Sequence, residues 1–142
     1  MRPYLPWLLI ACVSPGFSAE NRWTFVTSSD NGGGDEIYVD IHTISARDRY
    51  LEAWILHSYT KPQSVGEMPP FLSFVDRVRV DCQSLQIGTL ASAYYSDSTS
   101  HGSVVHSDDA GDDSPPMRHA LPDSVAEATI KAICSSGPKH RP

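Results

Sequence analysis

Histidine, aspartate and serine are frequent enough in this 142-residue chain to suggest several kinds of chemistry. His101, His106 and His119 bracket a run of aspartates from Asp108 to Asp113, a donor set that could gather a divalent cation. A calcium loop needs the D-x-D-x-D-G register, which is absent, so the run reads as a solvated acidic loop. A hydrolase would present its serine on a G-x-S-x-G turn, which is also absent, and the histidines are dispersed over expected loops and strand ends. The stretch "SSDNGGGDE" lacks the Lys-Ser/Thr pair of a phosphate loop, and Asp35 and Glu36 would repel phosphate, so it reads as a turn. No catalytic residue, metal or cofactor is assigned from these patterns.

The cysteines are more informative. Cys12 lies in an N-terminal targeting segment, which leaves Cys82 and Cys134 as an even pair whose spacing fits neither a redox motif nor a zinc site. In an oxidising compartment they form a disulfide, and closing a loop of that length contributes on the order of 4 kcal/mol.

The targeting segment itself has a minimal basic start at Arg2 and an apolar stretch from Tyr4 to Val13, too short to span a bilayer as a helix. Pro3, Pro6 and Pro15 argue against a buried N-terminal helix. Two processing routes stand side by side. Leu9-Ile10-Ala11-Cys12 resembles a lipobox that would lipidate Cys12, whereas a cut after Ser18 or Ala19 would discard it. The length usual for a signal favours the second route. The expected organisation is a signal peptide over 1–19, one domain over 20–136 and a flexible tail over 137–142. The formal charge of −6, with no basic run, excludes nucleic acid and anionic lipid as partners.

Alternation and turn signals place the elements. Strands are expected over "RWTFVT", "EIYVD", "RYLEAWILHSYT", "FLSFVDRVRVDC", "SLQIGTLASAYYSD" and a short edge strand "GSVVHS". Between the second and third, "HTISARDR" reads as a connection that turns Ile44 inward. Lys61 to Pro70 reads as a proline-rich loop and Ser107 to His119 as a mobile one. In the third strand, Leu51, Ala53, Ile55 and His57 share a face, and Trp54 on the other is expected in the core. The fourth puts Phe74, Asp76, Val78, Val80 and Cys82 on its apolar side, with Arg77 and Arg79 on a solvated one. The fifth puts Leu85, Ile87, Ala91, Ala93 and Tyr95 together, so one of Tyr94 and Tyr95 is exposed. A helix begins at a capping box formed by Ser124 and Glu127, runs with Ala126, Ile130, Ile133 and Cys134 on one stripe, and ends at Gly137. The fold class is α+β: a small antiparallel sheet of about six strands, with one C-terminal helix stapled to it by the disulfide.

Trp23, "YVDIHTI" from Tyr38, Trp54, "VRVDC" ending at Cys82, Tyr94-Tyr95 and "LPDSVAEATIKAIC" together resemble the surface-adhesin protein E family through nearly the whole domain. The resemblance implies a helix fastened to an antiparallel sheet by a disulfide. It also implies export to the periplasm or outer-membrane surface of a Gram-negative bacterium. The family's namesake is a lipid-anchored surface protein that binds host matrix and serum proteins. The acidic Ser107–His119 stretch departs from it, and no binding residue carries over. The expected function is therefore a non-enzymatic envelope protein that binds a host or envelope macromolecule, its partner and oligomeric state unassigned. The alternatives are a periplasmic accessory module with a bacterial protein partner, and a small-molecule or haem binder using His57 or His106.

Overall fold

The computed structural model describes residues 22–30, 34–110 and 114–138. The expected signal peptide with Cys12, the centres of the glycine turn and of the acidic loop, and the tail beyond 138 lie outside the described residues.

The strands are β1 (Thr24–Ser29), β2 (Asp35–Val39), β3 (Ser45–Arg47), β4 (Tyr50–Gln63), β5 (Phe71–Asp81), β6 (Gln86–Tyr95), β7 (Val104–Asp109) and β8 (Arg118–His119). A 3₁₀ turn spans Ile41–Thr43, and the helix α1 spans Val125–Ser136. All pairings are antiparallel, in the order β1-β2-β4-β5-β6-β7, with β3 added to β4 and β8 added to β6. The α+β class, the six-strand width and the single C-terminal helix match expectation. β4 is central, as its two apolar faces required.

The core lies between α1 and one face of the sheet. Ile130 and Ile133 are 0% exposed and pack on Val39, Leu51, Ala53, Ile55, Val78 and Val80. Burying an aliphatic side chain of that size stabilises by about 1.5–3 kcal/mol. Ile44 turns inward against this cluster as expected. The helix is capped by Ser124 Oγ, which accepts from Glu127 N at 3.2 Å. Only half of the capping box forms, because the Glu127 carboxylate turns instead to Lys131 one turn on. Gly137 closes the helix through its N–H to the Ile133 carbonyl at 2.9 Å. Its φ of −81° shows that glycine is not needed there for a left-handed turn. It is needed for room: a Cβ would meet Ile44 Cγ2 and Leu51 Cδ1, each at 2.8 Å.

Cys82 and Cys134 are joined in a disulfide. Cys82 is exposed in the turn after β5 rather than on the strand's apolar face, so the bridge ties the margin of the core and not its centre.

Three further expectations are corrected. β4 continues through Lys61 and Pro62 to Gln63, because the pairing with β5 is interrupted between Ser58 and Gln63 and Pro62 has no ladder donor to supply there. In β6 a bulge adds Leu90 between Thr89, opposite Val78, and Ala91, opposite Arg77. The extra residue reverses the alternation, so Ile87 faces α1 while Ala91, Ala93 and Tyr95 face away. The acidic stretch is not wholly a loop: Asp108 and Asp109 pair in β7, and Arg118 and His119 form β8. Pro116 and Met117 pass over Gly88, where a Cβ would lie 2.8 Å from Met117 Sδ and 2.9 Å from the Pro116 carbonyl oxygen.

Two measurements check this packing. Ile133→Ala is expected to lower unfolding free energy by about 2–5 kcal/mol in urea titration. Reducing the Cys82–Cys134 bridge is expected to remove about 4 kcal/mol, read as a lower thermal midpoint in reductant.

Candidate functional site

α1 occupies one face of the sheet, and among the described residues no helix covers the other. Alternation brings Tyr38 from β2, Trp54, Leu56 and Ser58 from β4, and Ser73, Arg77 and Arg79 from β5 to this open face. Two unlike halves result, one charged and one aromatic.

The charged half corrects the solvated reading for Arg79, while Arg77 keeps a partly exposed side chain. Arg79 is 7% exposed and Glu52 4%. Arg79 donates to Glu52 Oε1 from Nε at 3.1 Å and from Nη2 at 2.6 Å, and Arg77 Nη2 donates to Glu52 Oε2 at 2.6 Å. The Tyr50 ring lies against the Arg79 guanidinium, 5.5 Å from its centroid. Burial works against the Glu52 charge, but the hydrogen bonds from Arg79 and Arg77 outweigh it and hold the carboxyl below its ordinary range. Trp54 is only half-buried beside this pair, not in the helix-side core.

The aromatic half is an open cleft of about 280 Å³. Trp23 and Tyr38 form one wall, Leu56 and Ser58 the floor, and Ser98, Thr99 and His101 the other wall. Arg22 orients the Trp23 side: its guanidinium lies 4.9 Å from the indole, and its Nε donates to Asp40 Oδ2 at 2.6 Å. Asp40 is itself buried and takes His42 N at 3.1 Å, fixing the 3₁₀ turn. Phe25 is 55% exposed and meets Tyr38 edge to face at 5.6 Å.

The opposite wall is a built loop. Asp97 accepts from Thr99 Oγ1 at 2.6 Å, His101 N at 3.1 Å and Gly102 N at 2.7 Å. Burial would raise its pKa, yet these bonds hold it below the usual range. Ser73, buried on β5, donates to the Asp97 carbonyl at 2.5 Å and accepts from Ser100 N at 3.2 Å, which folds the loop back over the sheet. Alternation pointed to neither this loop nor the cleft. The one available signal was Phe25, a large apolar residue with no place in the helix-side pattern.

The residues considered for metal or haem do not converge. His101 lines the cleft, His106 lies 3.0 Å from Asp108 on β7, and His119 is beside Gln86 on β8. No group of three metal-binding side chains occurs among the described residues. His57 is on the helix side, stacked on Phe74 at 4.2 Å, with Nδ1 3.4 Å from Asp35 Oδ2. Tyr94 also faces the helix side, against Phe71 and Phe74, and Tyr95 faces away; both are half-buried, so neither is the freely exposed ring expected.

A helix-backed antiparallel sheet with one face left open to an aromatic cleft defines a small surface-recognition scaffold. The sequence over residues 23–135 matches the family described as surface-adhesin protein E, and the chain belongs to that family. It is thus an adhesin-like surface protein. Among solved structures it is similar to Haemophilus influenzae protein E, with a TM-score of 0.58 at 12% identity over 87% of this chain and 91% of that one. Protein E from non-typeable Haemophilus influenzae gives 0.56 at 12% identity over 87% and 82%, and a second crystal form of protein E gives 0.53 at 13% over 70% and 80%. At that identity the likeness is one of fold. No curated protein matches the sequence. No helix among the described residues is long and apolar enough to cross a membrane.

Acid should loosen this face. Glu52, Asp81 and Asp97 all have lowered pKa values, so their contribution is complete above the ordinary carboxylate range and is lost as pH falls through the folded values. Stability by urea titration is expected to drop between about pH 5 and pH 3, and Glu52→Gln is expected to show a shallower drop.

Proposed function

We propose that the chain is an exported envelope protein that acts without catalysis, holding a host or envelope protein against the aromatic half of its open sheet face. The observation that carries this reading is the cleft walled by Trp23 and Tyr38, with the exposed Phe25 ring packed edge to face on Tyr38. Aromatic side chains dominate protein-binding hot spots, and a shallow cleft with hydroxyls and an imidazole on one wall offers both apolar anchorage and hydrogen bonding. The surface-adhesin family supports a protein partner.

Export rests on the leader over 1–19, ahead of a domain over 20–136 and a tail over 137–142. Cys12 is either removed or lipidated, and intact mass of protein from envelope fractions distinguishes the two.

Against a panel of immobilised matrix and serum proteins, saturable binding is expected for at least one. Replacing Trp23 and Phe25 by alanine is expected to weaken it about tenfold or more. Binding untouched by that double change would move the contact off the aromatic half. No saturable binding, together with no surface signal on intact cells, would sink the adhesin reading.

A further inference from the structure

On the helix side, α1 leaves a cleft of about 360 Å³ between its N-terminal half and the sheet. Ile55, Phe74, Val78 and Ile87 make its floor apolar, and Asp76 and His57 are polar groups set into that floor. Such a cavity, largely apolar with a few convergent polar groups, lies within the size range of small-ligand sites.

We propose that this cleft binds an amphipathic organic cation, an ammonium or guanidinium on a short aliphatic stem, with its charge at Asp76 and its stem on Ile55, Val78 and Ile87. Asp76 is half-buried. It accepts from Ser92 Oγ at 2.5 Å and has no arginine or lysine partner among the described residues. Burial pushes it above the ordinary carboxylate range, and the Ser92 hydrogen bond and the neighbouring His57 imidazole only partly offset that, so a full cation at this carboxylate is favoured. The surroundings compound the negative potential. Burial first, and then the carboxylates of Asp35 and Asp76, push the Tyr59 hydroxyl up to about 12. Asp35 Oδ1 is buried with no hydrogen-bond partner among the described residues.

Beside Asp76 the cleft offers only the His57 imidazole, and its arginine enters from the far end. Arg118 pairs opposite Ile87, which is level with Val80, four residues along β5 and thus about 13 Å from Asp76. The N-terminal turn of α1 is already capped by Ser124 Oγ, which accepts from Glu127 N. An anion therefore has no comparable place at the Asp76 end.

The site is on the opposite face from the adhesive cleft and does not rest on that reading. Calorimetry with n-butylguanidinium is expected to show saturable binding, and the neutral n-butanol much weaker binding. Asp76→Asn, which can still accept from Ser92, is expected to weaken the cation about ten- to a hundredfold. Trp23→Ala with Phe25→Ala is expected to leave it unchanged. As a second variant, Thr89→Arg carries its own guanidinium to the cleft wall and is expected to block the ligand while raising the thermal midpoint. A parallel titration with the capped peptide acetyl-Ala-Arg-Ala-amide identifies the source: tighter binding than butylguanidinium points to a basic side chain of a protein, weaker binding to a free cation. No saturable cation binding, equal binding of butanol, or cation binding unchanged in both Asp76→Asn and Thr89→Arg would overturn the proposal.

Discussion

A sheet six strands wide has two faces, and among the described residues there is one helix to cover them. α1, at 12 residues, is about 18 Å long, whereas five inter-strand gaps span about 24 Å and the 14-residue β4 runs to more than 40 Å. The helix therefore cannot cover even the face it packs on. Its fully buried isoleucines seal the rows formed by β2, β4 and β5, and the disulfide ties its last turns to the end of β5. What α1 leaves uncovered is managed by side chains and one loop.

The open face shows how. Where no helix is available, β4 and β5 pack a carboxylate between two guanidiniums, so that side chains too polar for a core shield one another and the sheet beneath. A pair of this kind adds less net stability than an apolar contact but penalises any register that separates its members. Elsewhere the same face is roofed by the loop that Asp97 organises, which is held down through Ser73. The aromatic cleft lies where that loop and the β1–β2 hairpin fail to meet. The open cleft in this fold is thus what remains after a short helix and one loop have been used up.

Much of the fold was legible in the residues because its periodicities are clean. The stripe of Ile130 and Ile133 behind Ser124, and the alternation of Leu51, Ala53 and Ile55, admit few other arrangements. The failures share one physical cause, which is that alternation identifies two faces but not what covers them. Arg77 and Arg79 looked solvated because Glu52, which buries Arg79, is 25 or more residues away in sequence. Leu90 looked like an ordinary strand residue because a bulge changes phase without a distinctive residue type. The cleft was hidden because Trp23, Leu56 and His101 come from three elements and converge only after the sheet has formed. Asp108 and Asp109 were assigned to a loop on composition, whereas their backbone groups are drawn into the ladder with β6 regardless of charge.

That last placement bears on crowding. A sheet that does not close has two outer strands, each a template onto which another chain can add by main-chain pairing. β7 is one of them, and it ends in two consecutive aspartates, with Asp108 and Asp109 alternating across the sheet. A second copy approaching that edge parallel and in register would set Asp108 against Asp108 and Asp109 against Asp109, like charges on both faces, which disfavours strand pairing. Molecules packed densely on one surface would therefore resist growing into fibres from this side, and the acidic composition of the segment acts as a brake on polymerisation built into the end of the sheet.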